Sequence, residues 1–547
     1  MAPTLDSLPL ELYYAILSHI PTFDLQSTVL ALTRAAPRSA IPGHLIFHHV
    51  RLRYSDQVVR LHRRLRRSPE DADRVRSFAL DCWTVDADVV VNLTALLHNL
   101  KELTLLIGPN FAPEHMEEMF QKPKEGLELI SLRFRPYVQR ATYYQFLKGA
   151  YFDTTLVAFS RWPAGDLPTL SIVQDPLDAT IAPARFAQPL VFFRLDPLST
   201  LARSPFVENL RNFRLRVPAR QAARFLYSLP NALPRVELLD MSTCNVLESD
   251  VEGMLGRFVR LRTLILDGCY IVSQRTIAAE EQGPEEALSH WAALGKMMAL
   301  SGTKYAKVRE KRLKAYLEAL RARAAALETG EQAVQQQVRA ARRPKRGRRG
   351  LATATISLRD SPPKESVILP KLPPSATSGT MPLAQRIRIL PALPALRSLA
   401  TTPPPSVGPD KHDAIRTEFA RGWNEGIAQL CAMRARLRTS WGNGVRIVRA
   451  DPEYEADEEE DVDGEDGLAG LMDVEDERAF VVRTKVPSSS EGGGSGDGAQ
   501  SVLDEADMLG IEDGTCPSLC LAGPGRKEGH VEGCGHQLGW EVWHDEL

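Results

Sequence analysis

Apolar residues recur along this chain in two rhythms that change from one region to the next. From Leu8 to Val50 the rhythm is helical: Leu12, Ile16, Leu17 and Ile20 fall at i, i+4, i+5 and i+8, on one face of a helix that starts after Pro9. Pro9, Pro21, Pro37 and Pro42 mark element boundaries, because proline lacks the amide donor and clashes inside a helix. A second, shorter helix is predicted from Asp24 through Leu32. The unit so formed, over residues 5–50, is too small to bury a full core alone and should lean on its neighbour. From about 75 to 280 short apolar strands alternate with helix-compatible stretches such as 113–121 and 220–229.

Residues 284–342 return to the helical rhythm, with Leu313, Tyr316, Leu317, Leu320, Ala324 and Leu327 at i, i+3, i+4 spacing and with Gly302 and Gly330 expected to interrupt the helix. Residues 343–410 are expected to be a disordered Pro-rich linker, since 361–409 hold 12 prolines in 49 residues. A helix is predicted again over Ile415, Phe419, Trp423, Ile427, Leu430 and Met433, then a strand at Val445, Ile447 and Val448. Residues 451–547 are expected to be a disordered acidic and Gly/Ser-rich tail.

The strands of the middle region are regularly spaced. Val236, Leu239, Met241, Cys244 and Val246 follow L-x-x-L-x-L-x-x-(N/C)-x-L, and Leu261, Leu264, Leu266, Cys269 and Ile271 follow it again 25 residues later. Weaker copies begin at Leu100, Leu127 and Leu210, and the gap between the last two has room for further steps, with candidates around Leu156 and Leu190. The pattern resembles leucine-rich repeats, in which each strand and its returning helix stack an apolar side on the next unit. The predicted fold class is therefore an α/β solenoid, a leucine-rich-repeat-like arc over 75–280, with Cys244 and Cys269 as buried thiols beneath the turns. Residues 411–450 have the helix-then-strand order of a final repeat. They are expected to complete the arc, so that 284–410 would be an insertion whose deletion leaves a cooperative folder.

The first helix carries a second resemblance. Leu8-Pro9-Leu10-Glu11-Leu12, then Ile16-Leu17, Ile20 and Leu25, describe a Pro-started amphipathic helix with a greasy surface suited to a partner's groove. Over about residues 5–50 the chain resembles the F-box, L-P-x-E-L-x-x-x-I-L-x-x-(L/I). It departs from the family at Ala31-Leu32-Thr33-Arg34-Ala35, where V-C-(K/R)-x-W is common. The resemblance implies docking on the Skp adaptor of a cullin ubiquitin ligase core through Leu8, Pro9, Leu12, Ile16, Leu17 and Leu25. It also implies that the repeats capture a protein substrate, with transfer following from proximity. In that reading the chain is not an enzyme and needs no cofactor, and no phosphate-loop, dinucleotide, zinc-protease or serine-hydrolase motif is found in it. Two alternatives remain open: a non-ligase repeat scaffold capped by the first helix, and a nucleic-acid-associated protein acting through its basic insertion.

Charge sharpens this picture. The net charge of −2 over 547 residues conceals 15 Lys or Arg against 4 Glu in 304–349, and 15 acidic residues with no basic one in 451–477. Arg342, Arg343, Lys345, Arg346, Arg348 and Arg349 form a nuclear-localisation candidate, so nucleus, cytoplasm or both are expected. No base-reading fold or aromatic platform accompanies them, so nucleic acid is not expected as a partner. The acidic run over 453–466 reads as a solubilising segment.

Seven scattered cysteines do not make a disulfide framework, and no apolar stretch is long enough to span a membrane, which points to a reducing intracellular compartment with no membrane partner. His544-Asp545-Glu546-Leu547 matches a lumenal retrieval signal that is not expected to operate, since no secretory signal is recognised at residues 1–4. Cys516-x3-Cys520 followed by His530-x3-Cys534-x-His536 supplies zinc-type donors. Cys516, Cys520, Cys534 and His536 are candidates, but the spacing lacks a C-x2-C pair, and no metal is assigned to it.

Overall fold

The computed structural model of the protein describes residues 8–134, 152–176, 191–192, 194–228, 232–269, 284–341, 386–403, 407–450, 471–481, 515–525 and 528–543. The strands in chain order are β1 (His49–Leu52), β2 (Ser77–Leu80), β3 (Glu102–Ile107), β4 (Leu129–Phe134), β5 (Thr169–Gln174), β6 (Asn212–Arg216), β7 (Leu238–Asp240), β8 (Thr263–Ile265), β9 (Ile387–Ile389), β10 (Ser398–Ala400), β11 (Arg446–Ala450), β12 (Leu471–Asp473) and β13 (Ser518–Cys520). Ten of them form one parallel sheet in the order β1-β2-β3-β4-β5-β6-β7-β8-β10-β13, not closed into a barrel. The other three form a small sheet in the order β12-β11-β9.

The helices are α1 (Leu10–Leu17), α2 (Thr22–Ala35), α3 (Ser55–Arg67), α4 (Pro69–Asp73), α5 (Ala87–Ala95), α6 (Pro113–Met119), α7 (Asp153–Ser160), α8 (Asp196–Ala202), α9 (Ala223–Tyr227), α10 (Glu248–Arg257), α11 (Pro284–Ala341), α12 (His412–Gly442) and α13 (Gly535–Trp543). From α3 and α5 through α12 each touches the next along the chain, a helical layer running in the same order as the strands. Strand residues alternate between this layer and the opposite face. Leu103, Leu105 and Ile107 of β3 and Ile130, Leu132 and Phe134 of β4 enter one continuous core. Between them Thr104 and Ser131 pair in register on the other face, in a row that continues through Ser171, Arg214, Asp240, Ile265 and Ala400 to Cys520.

Several expectations are corrected by this topology. Between the copies at Leu127 and Leu210, 83 residues apart, the described residues add one further strand to the large sheet after β4, which is β5, and Leu156 lies in helix α7; Leu190 lies outside the described residues. β5 is announced by Leu167, Leu170 and Ile172, which keep the L-x-x-L-x-L spacing and are buried. The strand after β8 is β10, inside the segment expected to be a disordered linker, where Leu396 and Leu399 keep the same spacing. The last strand of the sheet is β13, inside the segment expected to be a disordered tail. β11, expected to complete the arc, belongs to the small sheet. Residues 284–410 are therefore not a removable insertion: they supply β10 and most of the surface that receives α12.

The long helix α11 is continuous through Gly302 and Gly330. At Gly302 a Cβ would stand 2.4 Å from the carbonyl oxygen of Ala392, so the residue permits close packing and does not break the helix. Gly422 of α12 plays the same part against α11, with a Cβ position 1.8 Å from the carbonyl oxygen of Ala292. Arg434 of α12 is buried and donates to the carbonyls of Pro391, Ala479 and Phe480, tying the segment before β10 and the one after β12 to the helix. Among the described residues no helix is long and apolar enough to cross a membrane.

Candidate functional site

Pro9 caps α1 with extended backbone and has its carbonyl accept the amides of Leu12 and Tyr13. The helix divides its apolar residues. Tyr13 and Leu17 are buried in a small core with Leu25, Val29 and Leu45, and Leu8 packs half-buried against it. Leu10, Leu12, Tyr14 and Ile16 point outward and make up four of the nine large hydrophobic side chains exposed among the described residues, Leu12 and Ile16 each at 48%. Of the six residues expected at the adaptor contact, Pro9, Leu12 and Ile16 are presented to solvent and Leu8 partly so. Leu17 and Leu25 are corrected to core positions: Leu17 ends the inward face of α1 beside Tyr13, and Leu25 lies in α2 and packs against it.

This unit is fixed to the edge of the large sheet. Gln26 of α2 accepts from the backbone amide of Arg51 in β1 and donates to the Ile46 carbonyl, so an edge that would otherwise present unpaired groups is covered. Arg51 also pairs with Asp81 at 2.5 Å.

The sheet face opposite the helical layer lines a groove of about 870 Å³. Arginines stand along it in ion pairs: Arg133 with Asp175 at 2.8 Å, and Arg216 with Asp240 at 2.6 Å. Burial alone would raise the Asp240 carboxyl, but Arg216, then Arg214 and Ser242, outweigh it and hold it below the usual carboxylate range. Arg214 is buried; its Nε donates to Ser171 Oγ at 2.7 Å, and its guanidinium lies 4.9 Å from the ring of Trp543. Trp543 belongs to α13, which crosses this face against β5, β8 and β10. The helix thus occupies one end of the groove, and the rest offers alternating charge and small side chains.

The cysteines sort into two kinds. Cys244 and Cys269 are buried thiols, as expected, donating to the carbonyls of Leu215 in β6 and of Met241 just after β7. Burial pushes Cys244 up to about 12 and Cys269 well above the usual thiol range.

Cys520, His530, Cys534 and His536 converge, with one donor atom from each within 4.8 Å of the others. Of the four candidate donors, to which no metal was assigned, Cys516 is exposed and does not join the group, and His530 takes part in its place. The Cys534 thiol donates to Cys520, which holds Cys520 well below the ordinary thiol range and Cys534 above it. Burial opposes a charged His536, yet Asp267 and Cys520 push it up to about 9. Asp267 carries no sequence signal of its role, because it lies 269 residues from the histidine it orients.

The basic cluster Arg342, Arg343, Lys345, Arg346, Arg348 and Arg349, the acidic run 453–466 and the retrieval-like residues 544–547 lie outside the described residues. Compared with protein-family models the chain matches none, and no curated protein matches it.

Proposed function

We propose that the protein is a substrate-recognition adaptor of a Skp-cullin-F-box ubiquitin ligase, in which α1 docks on the Skp adaptor and a leucine-rich-repeat-like arc holds a protein substrate. The observation that carries the reading is the outward face of α1. Leu12 and Ile16 remain in water in a unit that has its own core, although the repeats next to it could have buried them. Exposed apolar groups set one helical turn apart, beside an exposed proline, are what a groove-binding helix presents. The ten strands in chain order, the helices returning on one side and the open groove on the other support the arc as the substrate-holding part. Its row of paired Arg and Asp residues suits an extended peptide of mixed charge. Joining the two surfaces in one chain raises the effective concentration of substrate at the ligase, which is all the chemistry such an adaptor supplies.

The test is capture of a recombinant Skp adaptor by the full chain. Leu12→Asp/Ile16→Asp abolishes capture and leaves the far-UV circular dichroism and the melting profile unchanged, since both positions are exposed. Equal capture by this variant, or none by the wild type, refutes the reading.

A further inference from the structure

The Cys/His cluster lies at one end of the groove, away from the exposed face of α1, and its geometry is that of a metal site. Cys520 ends β13 and points to the same face as its register partner Ala400. The chain then turns at Gly523, whose φ of +77° favours glycine, and comes back to His530. A turn closed by the Cys534 amide on the Val531 carbonyl sets Cys534 just before α13 and His536 in its first turn. His530 Nδ1 lies 3.5 Å from Sγ of both Cys520 and Cys534, and His536 Nδ1 lies 3.4 Å from Cys520 Sγ. Zinc bonds of about 2.3 Å to sulfur and about 2.0–2.1 Å to nitrogen, at tetrahedral angles, require sulfur-to-nitrogen edges of roughly 3.6 Å. Three edges of such a tetrahedron are therefore already in place, and the four donor atoms all lie within 4.8 Å of one another.

What surrounds the donors fits the same chemistry. The other nitrogen of His536, Nε2, is 3.0 Å and 3.1 Å from the two oxygens of Asp267, which leaves Nδ1 as the coordinating atom. A carboxylate behind a metal-bound imidazole fixes its tautomer and strengthens it as a ligand. Asp267 is itself held by Thr402 Oγ1 at 2.7 Å. The His530 ring meets Trp540 edge to face at 4.7 Å between centroids. Cys520, Cys534 and His536 are buried, and two thiolates with two imidazoles form a donor set that selects zinc over magnesium or calcium.

We propose that Cys520, His530, Cys534 and His536 bind one zinc ion, and that this ion clasps α13 across the groove. The ion joins the last strand of the sheet, the returning loop and the start of α13, with Asp267 from the segment after β8 as the positioning residue. A helix of nine residues has little stability alone, so its place over Arg214 depends on what fastens its first turn. Loading the site releases the protons held on the free donors and seats Trp540 and Trp543 on the groove; stripping it frees that end of the groove for another occupant. The inference is independent of the adaptor reading, because it is read on the chain with no partner present.

The test uses the full chain, prepared anaerobically. Wild type is expected to retain one zinc per chain through dialysis and, loaded with cobalt(II), to show the visible bands of a tetrahedral thiolate site. Cys520→Ser/Cys534→Ser loses both, Cys516→Ser keeps both, and Asp267→Asn binds about 10–100-fold more weakly. Removing the metal raises hydrogen exchange at 535–543 while β2 to β7 stay protected, which separates loss of the clasp from loss of the fold. Absence of zinc and of the cobalt bands in wild type, a Cys520–Cys534 disulfide in the anaerobic protein, or equal zinc in the double-serine variant overturns the site. Bound zinc whose removal leaves exchange at 535–543 unchanged overturns the clasp.

Discussion

Replacing Gly422 by alanine tests how the end of the sheet is built. The added Cβ would stand 1.8 Å from the carbonyl oxygen of Ala292 and 2.5 Å from its carbon, where ordinary contact begins near 3.4 Å. Helices α11 and α12 would have to part locally by roughly 1.6 Å, and the obstacle is backbone, which cannot rotate away. That separation opens the layer in which Trp291, Phe419 and Trp423 are at most 1% exposed. Overpacking a core costs about 1–3 kcal/mol when side chains can shift, and a backbone clash belongs at the upper end. Alanine in a helix gains only about 0.5–1 kcal/mol over glycine, so the packing loss wins and the net change is a destabilisation of about 2 kcal/mol. Gly442→Ala is the matched control: nothing lies within 4 Å of its Cβ position, and it should stabilise by about 0.4–1 kcal/mol. Denaturant midpoints followed by far-UV circular dichroism read both. If Gly422→Ala matches Gly442→Ala, the two long helices do not meet as described, and the account of the sheet's last third falls with them.

Deleting 284–410 should yield an aggregating or unfolded chain, because β10 and the partner of α12 are lost; a cooperative unfolding curve for that variant would contradict the topology. Leu17→Ala should cost about 2–5 kcal/mol of the first unit's stability, while Leu12→Ala should change it by less than about 0.5 kcal/mol, as judged by local hydrogen exchange. Asp240→Asn breaks a buried pair with Arg216 and should cost about 3 kcal/mol or more at neutral pH. Because the folded-state pKa of Asp240 is depressed, its contribution is present above the unfolded carboxyl pKa and is lost as pH falls through the folded one. Acid titration of stability should therefore be steeper in wild type than in Asp240→Asn, and parallel curves would refute the pairing.

The local rhythm is written in the residue order. Leu239 and Met241, or Leu264 and Leu266, enter the core because alternate residues of a strand face opposite ways, and the same spacing at Val75, Phe78 and Leu80 or at Leu396 and Leu399 was open to reading. Composition hid the later examples: prolines at 391 and 394 precede β10 and only direct the chain into it, and β13 lies among glycines. Strands of three residues exist because a neighbouring edge supplies their hydrogen bonds, so which strand joins which sheet was decided in three dimensions. For the same reason β11 reads as a strand but not as a member of the small sheet.

The split of α1 into Tyr13 and Leu17 inward and Leu12 and Ile16 outward required the positions of α2 and Leu45. The metal-type cluster shows the division most plainly. Its donors are visible in the sequence as residue types, but the exclusion of Cys516, the entry of His530 and the support from Asp267 follow from bringing distant segments within a few ångströms. Spacing along a chain constrains only neighbours. Distances across a fold are set by which apolar surfaces must share a core.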